Sequence, residues 1–187
     1  MKQSKIEIRN IFKIKRHRYF NESVRDNVKL NKLIHHNIIK LMLYAMMNSS
    51  FETLLIIDES FKCKVYTSND INSVDIPETL LTKMNNGDDC KYIMMHNHPD
   101  NGNFSIKDLN TFVSRYQIEY LMIVTNDCKH IGILGMHSYV DDKLRKRMLY
   151  TVEKYCRKNK LDEHASATKL IEFFQSKGLL YAVYKNY

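Results

Sequence analysis

The spacing of apolar residues along this chain changes between a helical and a strand-like pattern. In residues 26–47 apolar positions recur every three or four residues, which predicts one long amphipathic helix. Residues 51–57 then form a nearly unbroken apolar run with a single charge, at Glu52, and this pattern predicts a buried strand. Shorter apolar runs predict further strands at residues 61–66, 92–95, 120–124 and 130–134.

Helical patterns precede, separate and follow these strands. They predict helices at residues 77–84, 106–116, 140–158 and 165–175. Residues 6–20 alternate only weakly and are heavily basic, so an edge strand, an arm and a partly disordered segment are all compatible with them. Strands and helices interleave in the middle of the chain and helices dominate both ends, which predicts an α/β fold.

The composition is that of one globular domain. The chain has 187 residues, of which 44% are hydrophobic and 27% charged, with only 5 Gly and 2 Pro, so collagen-like and low-complexity disordered classes are excluded. Lys and Arg number 29 against 21 Asp and Glu, which gives a formal net charge of +8. This charge favours anionic or acidic partners without identifying one.

Cysteine spacing and the length of the apolar segments indicate an intracellular chain. The four cysteines lie far apart, with neither a C-x-x-C zinc pair nor a dense disulfide pattern, so we expect reduced thiols. Charges interrupt every apolar stretch of the N-terminus, so no secretory signal is predicted. The most apolar window, residues 38–47, is far shorter than the roughly 18 residues that cross a bilayer. We therefore expect a cytoplasmic protein with no membrane partner.

Two histidines and an aspartate have the spacing of a metal site. His96 and His98 stand two residues apart at the end of a predicted strand, where both imidazoles point to the same side and can share one ion. Asp108 falls in the first turn of the next predicted helix, from which its carboxylate can fold back toward the histidines. Three protein ligands with a fourth position for water are typical of catalytic zinc sites. The sequence therefore predicts a catalytic Zn²⁺ site.

A carboxylate and a hydroxyl complete the predicted site. A zinc-bound water becomes a better nucleophile when a nearby carboxylate accepts its proton and passes it to the leaving amine. Glu52 is the best candidate, because it is the only charge in an apolar strand. Glu59, in the following turn, and Glu22, in the N-terminal region, compete with it for this role. Ser105 can supply its hydroxyl to the oxyanion that forms when a carbonyl is attacked.

These residues form a recognisable pattern. Glu52, His96-x-His98 and Ser105-x-x-Asp108 resemble the JAMM motif of the JAB1/MPN/Mov34 metalloprotease superfamily, and the run HNHP is especially similar to its prokaryotic RadC-like branch. The resemblance covers roughly residues 46–134. It implies a JAB/MPN-like twisted mixed β-sheet flanked by helices, with zinc on the two histidines and the aspartate, the glutamate as general acid/base and the serine as oxyanion partner.

Further expectations concern the loop, the domains and the substrate. Nine residues separate His98 from Asp108, one fewer than the ten usual in the family, so we expect a tighter loop. We divide the chain into a basic N-terminal segment (1–25), a JAB/MPN-like metalloprotease domain (26–137) and a C-terminal helical extension packed on the same domain (138–187). The implied reaction is hydrolysis of a peptide or isopeptide bond in a protein or peptide substrate, of which a ubiquitin-like protein is one candidate.

The Ser105-x-x-Asp108 motif and the basic runs of the chain also have simpler interpretations. Ser105-x-x-Asp108 is a variant capping box, which is compatible with metal binding because one helix start can position both side chains. Basic runs at residues 13–18 and 143–147 are usually solvated faces. They nevertheless leave open a nucleic-acid partner and a second class of function, a RadC-like DNA- or protein-binding module with a non-catalytic metal site. No ligand role is predicted for five other histidines: His35, His36, His130, His137 and His164.

Overall fold

A six-stranded sheet with helices on both faces forms the centre of the described chain. The computed structural model describes residues 5–14, 19, 27–68, 70, 73–87, 89–158 and 162–186. Its strands are β1 (Thr53–Asp58), β2 (Cys63–Thr67), β3 (Tyr92–His98), β4 (Ile118–Thr125), β5 (His130–Met136) and β6 (Leu180–Asn186). Its helices are α1 (Ile8–Ile11), α2 (Asn27–Met47), α3 (Glu78–Asn85), α4 (Ile106–Ser114), α5 (Asp142–Lys158) and α6 (Glu163–Ser176).

The sheet is mixed, with the order β2-β1-β3-β4-β5-β6. β3 and β4 run parallel and are joined through α4, while the other neighbouring strands are antiparallel. A helix that joins two parallel strands runs back along the sheet, so its amino end meets the carboxyl end of the first strand. The end of β3 and the start of α4 therefore lie at the same edge.

Alternating side chains of the strands fill two separate cores. Leu55 and Ile57 face α1 and α2, whereas Leu54 and Ile56 face the layer formed by α3 to α6. Burial on both faces explains why the central strands have nearly continuous apolar sequences rather than alternating ones. The predicted α/β class is confirmed, as is the long helix that precedes β1.

The two ends of the chain differ from the prediction. Residues 8–11 form the short helix α1, and residues 180–186 form β6, which pairs with β5 along its length. The two helices expected in the C-terminal extension (138–187) are present as α5 and α6, but this segment also contains the strand β6, which was not predicted. β6 lies at the sheet edge and only its Leu180 is buried, although residues 180–184 form a strand-like run of apolar and aromatic residues. Residues 1–4, 15–18 and 20–25 of the basic N-terminal segment lie outside the described residues.

Two further expectations concern membranes and thiols. None of the helices in the described ranges has both the length and the apolar character needed to cross a membrane. All four cysteines are free: Cys63, Cys90, Cys128 and Cys156.

Candidate metal centre

His96 and His98 lie at the carboxyl end of β3 and point to the same face of the sheet. β3 continues to His98, three residues beyond the predicted end at residue 95, so both histidines belong to the strand. Both are buried, with 3% and 6% of their surfaces exposed. Because side chains alternate along a strand, the two imidazoles share the face that packs against α4. Their Nε2 atoms are 2.9 Å apart.

Glu52 approaches the histidines from the neighbouring strand. It lies one residue before β1, whereas the apolar pattern predicted it inside the strand. Leu54 pairs with His96, so Glu52, two residues earlier, comes level with His98 on the same face. Its Oε1 is 3.6 Å from Nε2 of His96. Glu52, His96 and His98 each offer one ligand atom, and these atoms lie within 4.8 Å of one another, so this buried group could hold a metal ion.

Asp108 brings a second carboxylate to the same point from the first turn of α4. Its Oδ1 is 3.1 Å from Nε2 of His96, and its Oδ2 is 3.3 Å from Nε2 of His98. The loop between β3 and α4 is thus short enough for the carboxylate to contact both imidazoles. The structure brings together the glutamate, the two histidines and the aspartate that the sequence identified.

Ser105 is the N-cap of α4 and holds Asp108 in place. Its Oγ accepts a hydrogen bond from the backbone N–H of Asp108, and its own backbone N–H donates to Oδ2 of Asp108, so the capping box is complete. The Ser105 hydroxyl also donates to this Oδ2, at 2.7 Å. Oδ1 is therefore the oxygen of Asp108 that remains more available to a cation. An oxyanion role for Ser105 stays a prediction. It requires the Ser105 hydroxyl to donate its hydrogen bond to the oxyanion instead of to Asp108.

Asn97, between the two histidines, fixes the backbone on both sides of Glu52. Its side chain points to the opposite face of the sheet and is fully buried. Its Oδ1 accepts the N–H of Thr53 at 2.7 Å, and its Nδ2 donates to the carbonyl of Phe51 at 3.1 Å and to Oδ1 of Asn126 at 2.7 Å. No local sequence pattern indicates this role, because the partners of Asn97 belong to distant segments.

The charges in the cluster compensate one another. Burial opposes the charge on His96, but Asp108 and Glu52 outweigh it and raise the pKa of His96 to about 9. Burial likewise opposes the charge on Asp108, yet the two imidazoles hold the pKa of this carboxyl well below its usual value. For Glu52 burial is the larger effect and raises its pKa. Without a metal ion, a proton on His96 therefore supplies the positive charge between the carboxylates.

The donor set is of the kind that binds zinc and other transition metals. Imidazole and carboxylate ligands together suit these ions, whereas Mg²⁺ and Ca²⁺ prefer oxygen ligands alone. Two nitrogen ligands of a tetrahedral zinc ion stand about 3.3 Å apart, so the imidazoles of His96 and His98 need to separate by only a few tenths of an ångström. The Nδ1–H of His98 donates to the carbonyl of Gly102 at 3.0 Å. Such a bond leaves Nε2 as the metal-binding atom.

The cluster opens onto a cleft formed by two adjoining cavities, both lined by Glu52 and Asp108. One, of about 550 Å³, is bounded mainly by polar residues from the loop after β3 and from the start of α6. The other, of about 780 Å³, has an apolar wall that includes Leu54, Met94 and Leu121. The carboxylates are thus accessible to a ligand although they are largely buried.

Of the two carboxylates that compete with Glu52 as the proton carrier, Glu59 is among the described residues. Glu59 is exposed and accepts a hydrogen bond from the backbone N–H of Lys91, and Glu22 lies outside the described residues. His164, for which no role was predicted, lines the cleft, and its ring centroid is 5.9 Å from that of His98. Its main partner, Asp100, is 64 residues away in the sequence, so no local pattern pointed to it.

Comparisons with known proteins add no relative. No protein-family model matches the chain, and neither a curated protein nor a solved structure matches it. The interpretation of the site therefore rests on the motif residues and on their geometry.

Proposed function

We propose that this protein is a zinc-dependent metallopeptidase or isopeptidase that hydrolyses a peptide or isopeptide bond. The observation that carries the proposal is the convergence of Glu52, His96, His98 and Asp108 at the base of a cleft. His96, His98 and Asp108 would hold the zinc ion, and Glu52 would stay beside it as the general acid/base. This division of roles is the one implied by the resemblance to the JAMM motif.

The proposed reaction needs one proton to move twice. Bound zinc would act as a Lewis acid, lowering the pKa of a water molecule and polarising the substrate carbonyl. Glu52 accepts the proton of the attacking water and donates it to the amine nitrogen as the C–N bond breaks. Its environment suits this task, because burial raises the pKa of its carboxyl and so makes it a better proton acceptor. Asn97 keeps the backbone of Glu52 in place during both transfers.

We extend the proposal to the fold family and the compartment. A JAB/MPN-like fold of the RadC-like branch is supported by two features. One is the mixed sheet with a helical crossover between β3 and β4, and the other is the set of motif residues. The four free cysteines support a reducing compartment such as the cytoplasm.

Metal analysis of purified variants separates the ligands from the proton carrier. We expect Glu52→Gln to retain one zinc ion per chain and to lose turnover, whereas Asp108→Ala, His96→Ala and His98→Ala lose the zinc as well. Glu59→Gln is the matched control. Glu59 is exposed, and the amide oxygen in this variant can still accept the hydrogen bond from the backbone N–H of Lys91. If Glu52→Gln loses zinc and Asp108→Ala retains it, Glu52 is the ligand and the proposed roles are wrong.

Activity is tested with quenched fluorescent peptides and with a reporter joined to a ubiquitin-like protein through an amide bond. We expect cleavage that stops when a chelator is added, resumes with zinc, and is absent in Glu52→Gln. Full activity in the chelated protein or in Glu52→Gln would contradict the proposal.

Nucleic-acid binding is a second candidate function, favoured by the exposed face of α5. This helix carries seven Lys or Arg and only two Asp or Glu. Lys143, Lys146 and Arg147 line a surface cavity together with Asp142 and Tyr150, and Tyr150 is 63% exposed. Cations that contact phosphates, next to an aromatic ring on which a base can stack, are typical of single-strand binding.

Titration of a labelled single-stranded oligonucleotide at increasing salt distinguishes this candidate from the enzyme. Salt-sensitive binding that is lost in Lys146→Glu/Arg147→Glu but kept in Asp108→Ala would support it. A wild-type protein that binds no oligonucleotide at low salt would eliminate it.

A further inference from the structure

His164 contacts the loop between β3 and α4 from the side of α6. Its Nε2 is 2.9 Å from Oδ2 of Asp100, and its Nδ1 is 2.6 Å from the carbonyl oxygen of Asn103. A carboxylate and a carbonyl can only accept, so both ring nitrogens of His164 are donors. Neither nitrogen is left to bind a metal ion or to take a proton from a substrate. His164 therefore acts on the loop and not on the reacting groups.

Gly102 lies between His164 and His98 and connects them. A Cβ at position 102 would stand 2.7 Å from Cε1 of His164, so the imidazole occupies space that only glycine leaves free. The N–H of Gly102 donates to Oδ1 of Asp100, while the other oxygen of that carboxylate binds His164. The carbonyl of Gly102 accepts the Nδ1–H of His98. The position of this carbonyl therefore determines where Nε2 of His98 points.

We infer that His164 is a positioning residue for the metal ligand His98, acting through Asp100 and Gly102. The inference rests on the metal site of the proposed function. By holding both ends of the Asp100–Asn103 turn, His164 fixes the carbonyl that orients His98. Metal-binding histidines commonly depend on such outer hydrogen bonds, whose removal typically lowers metal affinity about 10- to 100-fold.

Anchoring of α6 is the competing explanation, but this helix has other attachments. Asp162 caps its first turn by accepting the N–H groups of His164 and Ala165. Leu170 and Phe174 bury its inner face in the core. The side chain of His164 is therefore not needed to start α6 or to dock it. Anchoring of α6 does not explain why His164 contacts the loop.

The test compares His164→Ala with His164→Gln, whose amide can still donate to Asp100, and with His36→Ala, which alters an exposed histidine on α2. Zinc affinity is measured by competition with a chelator. The imidazole N–H resonance of His98 is recorded by nitrogen-15 NMR in the metal-free protein. We expect His164→Ala to bind zinc about 10- to 100-fold more weakly and to lose the hydrogen-bonded His98 signal. His164→Gln should recover most of both, and His36→Ala should match the wild type.

Each result bears on the inference in a defined way. Unchanged zinc affinity and an unchanged His98 signal in His164→Ala would overturn it. A wild-type protein that fails to bind zinc would overturn the proposed function, whereas the His98 signal would still decide whether His164 orients this ring. If His164→Ala does not fold, Gly102→Ala takes its place, because the added methyl group displaces the His164 ring and should weaken zinc binding in the same way.

Discussion

His96 carries the positive charge of the metal-free site between two carboxylates. Its Nε2 is 3.1 Å from Oδ1 of Asp108 and 3.6 Å from Oε1 of Glu52. A metal ion must displace the proton on this nitrogen before it can bind there. Metal binding therefore releases a proton, and the affinity for zinc should rise with pH until the pKa of His96, about 9, is reached.

The same proton makes the stability of the metal-free protein depend on pH. The pKa of His96 is raised from 6.5 to about 9. The ion pair of His96 therefore stabilises the folded state fully below pH 6.5, and this stabilisation is lost as the pH rises through 9. At about 1.4 kcal/mol per pKa unit, we expect the free energy of unfolding to fall by a few kcal/mol over this interval. Urea unfolding at a series of pH values measures it. His96→Gln should remove this component and His36→Gln should keep it. An unfolding free energy with the same pH dependence in wild type and His96→Gln would contradict the assignment.

Asn97 should affect both stability and turnover. Asn97→Ala leaves the N–H of Thr53 and the carbonyl of Phe51 without their side-chain partner. Buried unsatisfied groups cost about 1–3 kcal/mol each, so the two groups together predict a loss of about 2–6 kcal/mol in urea unfolding. Turnover should fall more than zinc affinity, because these bonds position Glu52 and not the ligands. Asn37→Ala is the control: this residue is also buried, but within the described part of the chain its amide donates to the carbonyl of Leu33 in the same helix, so its loss should leave turnover unchanged.

Among the secondary-structure elements, α4 has a start that serves two purposes. Ser105 caps the helix and also binds Oδ2 of Asp108. We expect Ser105→Ala to lower stability by about 1 kcal/mol through the lost cap and to weaken zinc binding as well. Ser105→Thr retains a hydroxyl and should restore both. Thermal unfolding and chelator competition provide the two measurements, and a Ser105→Ala variant with wild-type zinc affinity would show that the cap alone matters.

The elements differ in how far the sequence predicts them. The strand period predicts that His96 and His98 share a face, and the Ser105-x-x-Asp108 spacing predicts a carboxylate in the first turn of α4. Both features depend on residues close in sequence. The bond from Thr53 to Asn97 spans 44 positions and that from His164 to Asp100 spans 64, so only the folded chain brings these groups together. β6 was missed for a different reason: its residues 180–184 do form a local apolar run, but they follow a helical pattern and were not assigned to a strand.

For the whole molecule, the site is a junction between separate parts of the fold. Glu52 precedes β1, His96 and His98 end β3, and Asp108 begins α4, so an ion bound there cross-links the sheet to the helical layer that covers it. An ion that binds the folded chain and not the unfolded one stabilises it by about 2.7 kcal/mol at a concentration of 100 times its Kd. For a chain of this length, that energy corresponds to a rise in Tm of roughly 5–10 °C. Calorimetry with and without zinc should show this shift in wild type and Glu59→Gln and not in Asp108→Ala. An equal shift in Asp108→Ala would mean that zinc binds somewhere other than this junction.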